Sequence, residues 1–553
     1  MAADPNPVHR LSDELLDLTF VADPVLATVL GVPGHDDVLP DRSAAGQQSV
    51  RATALDIAER MSAVDPATLS ADDAVTRAAV VHHAQQMVTE VDTHFFEYTI
   101  SDMFVGPAAE LLSMLPVVVL SDADQATSYL NRLRAVPAYL AAIAERHRAG
   151  VAAGRVPVAH LVRQSVEHLD RYLGAADDAL ARPSYVDDTF VAERAKVLAD
   201  IVRPGIARYR DVLANEIASH GRDESKVGIC WLPDGEAMYT GFARVHTTTD
   251  RTPDELHQTG LDVIAGLTEE YAELGSRVFG TSDRAEIFRR MTSDPAMRWR
   301  DADELIASAR ETVARAEAAA PDWFGRLPST RCLVEPVPAT DAPGAAGAYY
   351  VWPSMDGKRP GTYFANTHRA QERDRFVSEV LAFHEAVPGH HFQLAIAQEL
   401  DHLPMFRRLV TPTAYAEGWG LYTERLADEM GLYTSDVFRL GMLAMDSMRA
   451  GRLVVDTGMH AKGWSRAQAV GFLRDNTPMS DLEIGNEIDR YIAWPGQALA
   501  YMVGRLELQR MRAGASARLG AAFDLRGFHD LVLGNGALPL AVLDEVVSAW
   551  SPN

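Results

Sequence analysis

Cysteine is almost absent from this sequence: Cys230 and Cys332 are the only two in 553 residues. A disulfide framework is therefore excluded as the main source of stability, and usage this sparse fits a reducing compartment. Lysine is nearly as scarce. Only Lys196, Lys226, Lys358 and Lys462 occur, so arginine carries most of the positive charge, and the formal net charge is -25. No basic tract interrupts the acidity, which argues against nucleic acid as a partner. Long apolar runs are missing too. The most apolar stretch of the first half, Leu111 to Leu120, is too short to cross a bilayer. The opening MAADPNPVHRLSDELL lacks the basic-then-apolar pattern of a secretion signal. There is no fixed repeat period and no low-complexity linker. These absences lead to the expectation of a cytoplasmic protein with no nucleic-acid or membrane partner, a homodimer staying open.

Helical periodicity fills most of the chain. Residues 11–30 read as an amphipathic helix interrupted at Pro24, and Ser70 offers a helix cap. An alanine-rich tract continues from Gln125, broken around Pro137. Thr252–Glu255, Ser465–Gln468 and Ser480–Glu483 match capping boxes. Two stretches depart from this texture. Phe242–Thr247 reads as a short strand, and residues 321–370 as a small antiparallel sheet built from RCLVEPVPA, AGAYYVWP and GTYFANTH. Such a sheet can hold an extended peptide by backbone hydrogen bonds, with Tyr349, Tyr350, Tyr363 and Asn366 as candidate contacts. The length exceeds that at which one simple core keeps growing. It suggests either a single helical catalytic unit over 1–553 or an N-terminal helical lobe, 1–220, beside a metal-bearing lobe, 221–553.

Chemistry concentrates between Phe376 and Glu417. Asp374 to His384 contains neither Pro nor Gly and spaces Phe376, Val380, Leu381 and His384 as a buried helix would. Glu385 follows directly. The HExxH zinc motif is absent, since Pro388 stands where its second histidine would be. His390 and His391 come six and seven positions after His384, and in a straight helix seven residues span about 10 Å, too far to share one ion. Pro388 and Gly389 supply the means for a kink that brings one of the two back. Glu417, near the first turn of a later helix, is the expected carboxylate ligand, and Glu424 a carboxylate that orients a ligating histidine.

HEAVPGHHFQ at 384–393 and AEGWGLYTE at 416–424 resemble the signature of a large bacterial family catalogued as domain of unknown function 885. The resemblance extends over most of the chain, through Asp23–Gly31, GTYFANT at 361–367, VVDTGMHAKGWS at 454–465 and WPGQALAYMVG at 494–504. That family is in turn similar to the helical zinc oligopeptidases and metal-dependent carboxypeptidases. The resemblance implies a mostly α, two-lobed fold around a deep cleft, with one Zn2+ per chain held by His384, His390 and Glu417. It implies Glu385 as general base and short peptides as substrates. His391 remains the alternative to His390. His460 and Tyr501, in the last two of these motifs, are the expected oxyanion donors, and Arg449 and Arg505 the expected anchors for a substrate carboxylate. The expected activity is hydrolysis of short peptides by metal-activated water. Set beside it are a zinc amidohydrolase or esterase on non-peptide substrates and a non-catalytic helical binding protein.

Overall fold

A computed structural model of the chain describes residues 6–551 apart from 340, 341, 343, 344, 356 and 358. The fold is predominantly α-helical with one small sheet. The three capping boxes start helices as expected, at Pro253–Phe279, Arg466–Asn476 and Asp481–Ala493, and Ser70 caps Ala71–Asp92. One expected break and one expected strand do not occur. The Ala123–Ala152 helix runs through Pro137. The hydrogen bond lost there is offset by packing: Val136 and Leu140 are buried, and Gly205 sits so close that a Cβ on it would lie 2.8 Å from the Pro137 ring. Phe242–Thr247 is not a strand but the end of the Gly235–Thr247 helix. Phe242 and His246, one turn apart, lie parallel with ring centroids 6.3 Å apart, and both are buried.

The sheet forms where the sequence placed it, but it is mixed and not antiparallel. Strands β1 (Leu333–Pro336), β2 (Ala348–Val351) and β3 (Thr362–Ala365) lie in the order β1-β3-β2. Strand β3 pairs antiparallel with β2 and parallel with β1. The crossover from β1 to β2 is organised by Asn366, whose side-chain amide donates to the carbonyls of Ala342, Ala345 and Ala346. Its carbonyl oxygen accepts from the backbone N–H of His368. With its polar atoms spent on the loop and its side chain buried, Asn366 is a scaffold residue, not the substrate contact expected.

Most buried apolar side chains form one large core that joins residues from both ends of the chain. A second cluster is built from Val25 and residues 100–217. In the large core the Pro253–Phe279 helix packs along Asp436–His460, and Thr413–Glu429 along Ala500–Leu519. The second pair meets backbone to backbone at Gly418 and Gly504: a Cβ on Gly418 would lie 2.4 Å from the Gly504 Cα. Among the described residues, no helix is long and apolar enough to cross a membrane.

Candidate metal centre

His384 sits in the last turn of the Ser378–Glu385 helix. Glu379 anchors the first turn, pairing with Arg315 at 2.8 Å and accepting from the Thr434 backbone N–H at 3.0 Å. Residues 386–389, with a cis Val387–Pro388 peptide, then reverse the chain into the His390–Gln398 helix. The reversal needs Gly389, since a Cβ there would lie 1.9 Å from the His384 carbonyl oxygen. It leaves the rings of His384 and His390 4.7 Å apart and nearly perpendicular.

His391, the alternative ligand, is turned away. Its Nδ1 accepts from the Tyr350 hydroxyl at 2.8 Å, and its Nε2 donates to the Thr330 carbonyl at 2.9 Å. Neither nitrogen is left for a metal.

The Thr413–Glu429 helix closes over the two histidines through four of its residues. Glu417 presents its carboxylate to both rings. Trp419, fully buried, donates its indole N–H to the Pro388 carbonyl at 3.0 Å and so holds the reversal in place. Gly420 leaves room for the His384 ring, since a Cβ there would lie 2.5 Å from its Cε1. Glu424 accepts from His384 Nδ1 at 2.8 Å, which fixes the tautomer and leaves Nε2 bare for ligation.

His384, His390 and Glu417 are thus the group whose donor atoms converge, all within 4.8 Å of one another. Glu417 Oε2 lies 3.4 Å from His384 Nε2 and 3.5 Å from His390 Nε2. Two donors on one tetrahedral zinc, each about 2.0–2.2 Å from it, stand roughly 3.3–3.6 Å apart. The two Glu417–histidine spacings and the two-imidazole, one-carboxylate set therefore fit such an ion. Without a metal, the charges sort themselves among the same groups. Burial opposes the charged His384 ring, but hydrogen bonds to Glu417 and Glu424 outweigh it and raise its pKa to about 9. Burial likewise opposes the Glu417 carboxylate, yet the two histidines hold it well below the usual range. Glu385 differs. Burial pushes its carboxyl upward, only partly countered by His384, His390 and Arg449, and among the described residues nothing hydrogen-bonds to it.

The remaining candidates divide. Tyr501 is half-buried beside this cluster, and among the described residues its hydroxyl has no hydrogen-bond partner. Burial, and next the nearby Glu417 charge, keep it protonated. His460 is fully committed elsewhere: Nδ1 accepts from the Ile229 backbone at 3.2 Å and Nε2 donates to the Tyr491 carbonyl at 3.0 Å. Burial lowers its pKa to about 3, so it has no polar atom to offer an oxyanion. Arg505 is ion-paired with buried Asp446 and is not available to a substrate carboxylate. Among the described residues Arg449 has no carboxylate partner. Tyr349 stacks on Phe364, Tyr350 holds His391, and Tyr363 is buried close enough to Glu385 to feel its charge. Sequence reasoning missed Trp419 and Gly420 as positioning residues, although a tryptophan between two glycines inside a helical stretch is a signal of close approach.

Two solved structures share this architecture. A candidate lipoprotein from Colwellia psychrerythraea superposes with a TM-score of 0.90 at 26% identity, over 99% of each chain. A candidate lipoprotein of unknown function from Shewanella oneidensis gives 0.77 at 18% identity, over 97% of this chain and 99% of its own. These descriptions overturn the cytoplasmic placement, which had rested on scarce cysteine and a polar opening segment. No curated protein matches the sequence. Residues 24–547 match the family described as bacterial protein of unknown function DUF885, and the chain belongs to that family.

Proposed function

We propose that the chain is a zinc-dependent hydrolase that cleaves the peptide bonds of short peptides. One observation carries this reading: His384, His390 and Glu417 converge at ligand spacing, with the unbonded carboxylate of Glu385 next to His384. A bound zinc would supply a Lewis acid and lower the pKa of water at the site. The protein's own groups do the rest. Glu385, its carboxyl raised by burial, takes the proton of the attacking water and passes it to the departing amine. Tyr501, protonated and unpartnered, donates to the developing oxyanion. Glu424 and Trp419 hold His384 and the reversal in register, so that neither ring must reorganise during the reaction. The sheet packs against the Ser378–Glu385 helix, and its backbone is suited to hold an extended substrate.

The test is product analysis of a mixed peptide library by mass spectrometry, using zinc-loaded protein with and without chelator. Chelator-sensitive cleavage of short peptides is expected, with near one equivalent of metal in wild type and in His391→Ala but not in His384→Ala. If peptides stay intact while simple amides or esters are hydrolysed, the substrate class is wrong. Stoichiometric metal in both His384→Ala and Glu417→Ala would remove the centre itself.

A further inference from the structure

Next to the metal centre lies a buried cluster of three arginines with, among the described residues, one ion-paired acid between them. Arg449 and Arg452, one turn apart on the Asp436–His460 helix, are each only 5% exposed. Arg490 joins them from the Asp481–Ala493 helix. Glu487 is the acid they share: it accepts from Arg452 at 2.9 Å and from Arg490 at 3.1 Å. Arg452 also donates to the Tyr491 hydroxyl at 2.8 Å, and Arg490 to Gln497 at 2.8 Å.

Arg449 gets nothing from this network. Among the described residues no carboxylate lies within ion-pair distance of it. Among the described residues its Nη1 meets only the sulfurs of Met448 at 3.5 Å and Met445 at 3.9 Å, which are weak acceptors, and its buried Nε has no hydrogen-bond partner. Arg452 also has a buried Nη1 without a partner. A buried guanidinium left in this state is costly unless an anion completes it.

The cluster faces the metal centre. The Asp436–His460 helix packs directly on the Ser378–Glu385 helix, and the Ala500–Leu519 helix, which carries Tyr501, packs on the helix of Glu417. The Tyr501 ring lies between the two sets of groups, 5.3 Å from the Arg449 guanidinium and 4.4 Å from that of Arg452.

Resting on the hydrolase reading above, the geometry points to Arg449, backed by Arg452 and Tyr501, as the site that binds the free terminal carboxylate of the substrate, so that peptides are shortened from their carboxyl end. A planar guanidinium with unused N–H groups suits a carboxylate, which it can meet with two parallel bonds. The reaction consumes one water. Its oxygen bonds to the acyl carbon as the C–N bond breaks, both its protons end on the freed amine, and the new end is left as a carboxylate.

A carboxylate can come from the chain terminus or from an acidic side chain, and matched peptides separate the two. Three matched peptides are compared: a free acid, its C-terminal amide, and an amide that differs only in having glutamate as its last residue. Binding to zinc-loaded Glu385→Gln protein is read by calorimetry, and products of zinc-loaded wild type by mass spectrometry. The free acid is expected to bind at least tenfold more tightly than either amide and to lose residues from its carboxyl end. Arg449→Met should erase that preference while metal content stays near one equivalent, and Arg449→Lys should retain part of it. Equal binding of acid and plain amide overturns the inference, and this comparison needs no arginine variant to fold. Recovery of tight binding by the glutamate-ended amide overturns the terminal source. Equal cleavage of acid and amide fells the inference but leaves the hydrolase standing. If no peptide is cleaved the hydrolase reading fails, and the calorimetry still decides whether a carboxylate is held.

Discussion

At the scale of single residues, His384 carries the pH dependence of the centre. Its metal-free pKa is raised from 6.5 to about 9 against its own burial, by Glu417 and then Glu424. A ligating imidazole must be neutral, so below that pH metal uptake has to expel a proton. Apparent zinc affinity should therefore climb as pH rises through the neutral range and level off near 9. The same shift has an opposite consequence for the metal-free fold. A raised folded-state pKa contributes stability that is fully present below the unfolded value of 6.5 and is lost as pH climbs towards 9. Metal-free protein should thus melt at falling temperatures across this window, while zinc-loaded protein should not follow it. Competition titrations and melting curves at several pH values measure both trends, and an affinity flat with pH would remove His384 from the ligand set. Glu385 tests chemistry apart from binding. Glu385→Gln should keep one equivalent of zinc and lose about 10²- to 10⁴-fold in kcat, the usual worth of a general base. Wild-type turnover in that variant would assign the proton transfer elsewhere.

At the scale of elements, the centre depends on how closely the Thr413–Glu429 helix approaches the Ser378–Glu385 helix, and Gly420 sets that approach. Gly420→Ala should favour the helix by up to about 1 kcal/mol of intrinsic propensity. It also drives a methyl group into the His384 ring and disturbs the bond to Glu424. Zinc affinity should fall by about 10- to 100-fold, as when a partner that orients a ligand is lost. Circular dichroism should stay unchanged, and wild-type affinity would mean that the ring is not held as described. This dependence also explains what the sequence could and could not tell. Capping boxes are local, so Thr252, Ser465 and Ser480 announced their helices without tertiary help. His384, Glu385 and Glu417 were legible because their types and flanking Pro-Gly carry the chemistry. Choosing His390 over His391 was not, because one residue of phase depends on the reversal that Trp419 holds and on Tyr350 across the sheet. The parallel pairing of β1 with β3 was hidden for the same reason, being set by a long crossover tied to Asn366. His460 misled because glycines beside it suggest an open loop, whereas it ends a buried helix.

At the scale of the whole molecule, the three donors join three helices that run in different parts of the large core. An ion binding there acts as a cross-link of the folded state only. Free zinc at a thousandfold excess over its Kd should add about 4 kcal/mol of stability. Chelation should lower the melting temperature and zinc should restore it, whereas the same treatment of His384→Ala should leave the melting curve unmoved. A chelator-insensitive wild type would mean that the cluster binds no ion of consequence. The Gly418–Gly504 crossing adds a constraint of another kind. Every donor has been translated by residue 417, yet the surface that fixes the angle of the Glu417 helix is made only with Gly504 and its neighbours. A chain in which the Ala500–Leu519 helix has not yet docked owns all its ligands without their alignment. An ion captured by such an intermediate would meet a slack, exchangeable set of side chains, and would be held at fixed geometry only once the last helices dock.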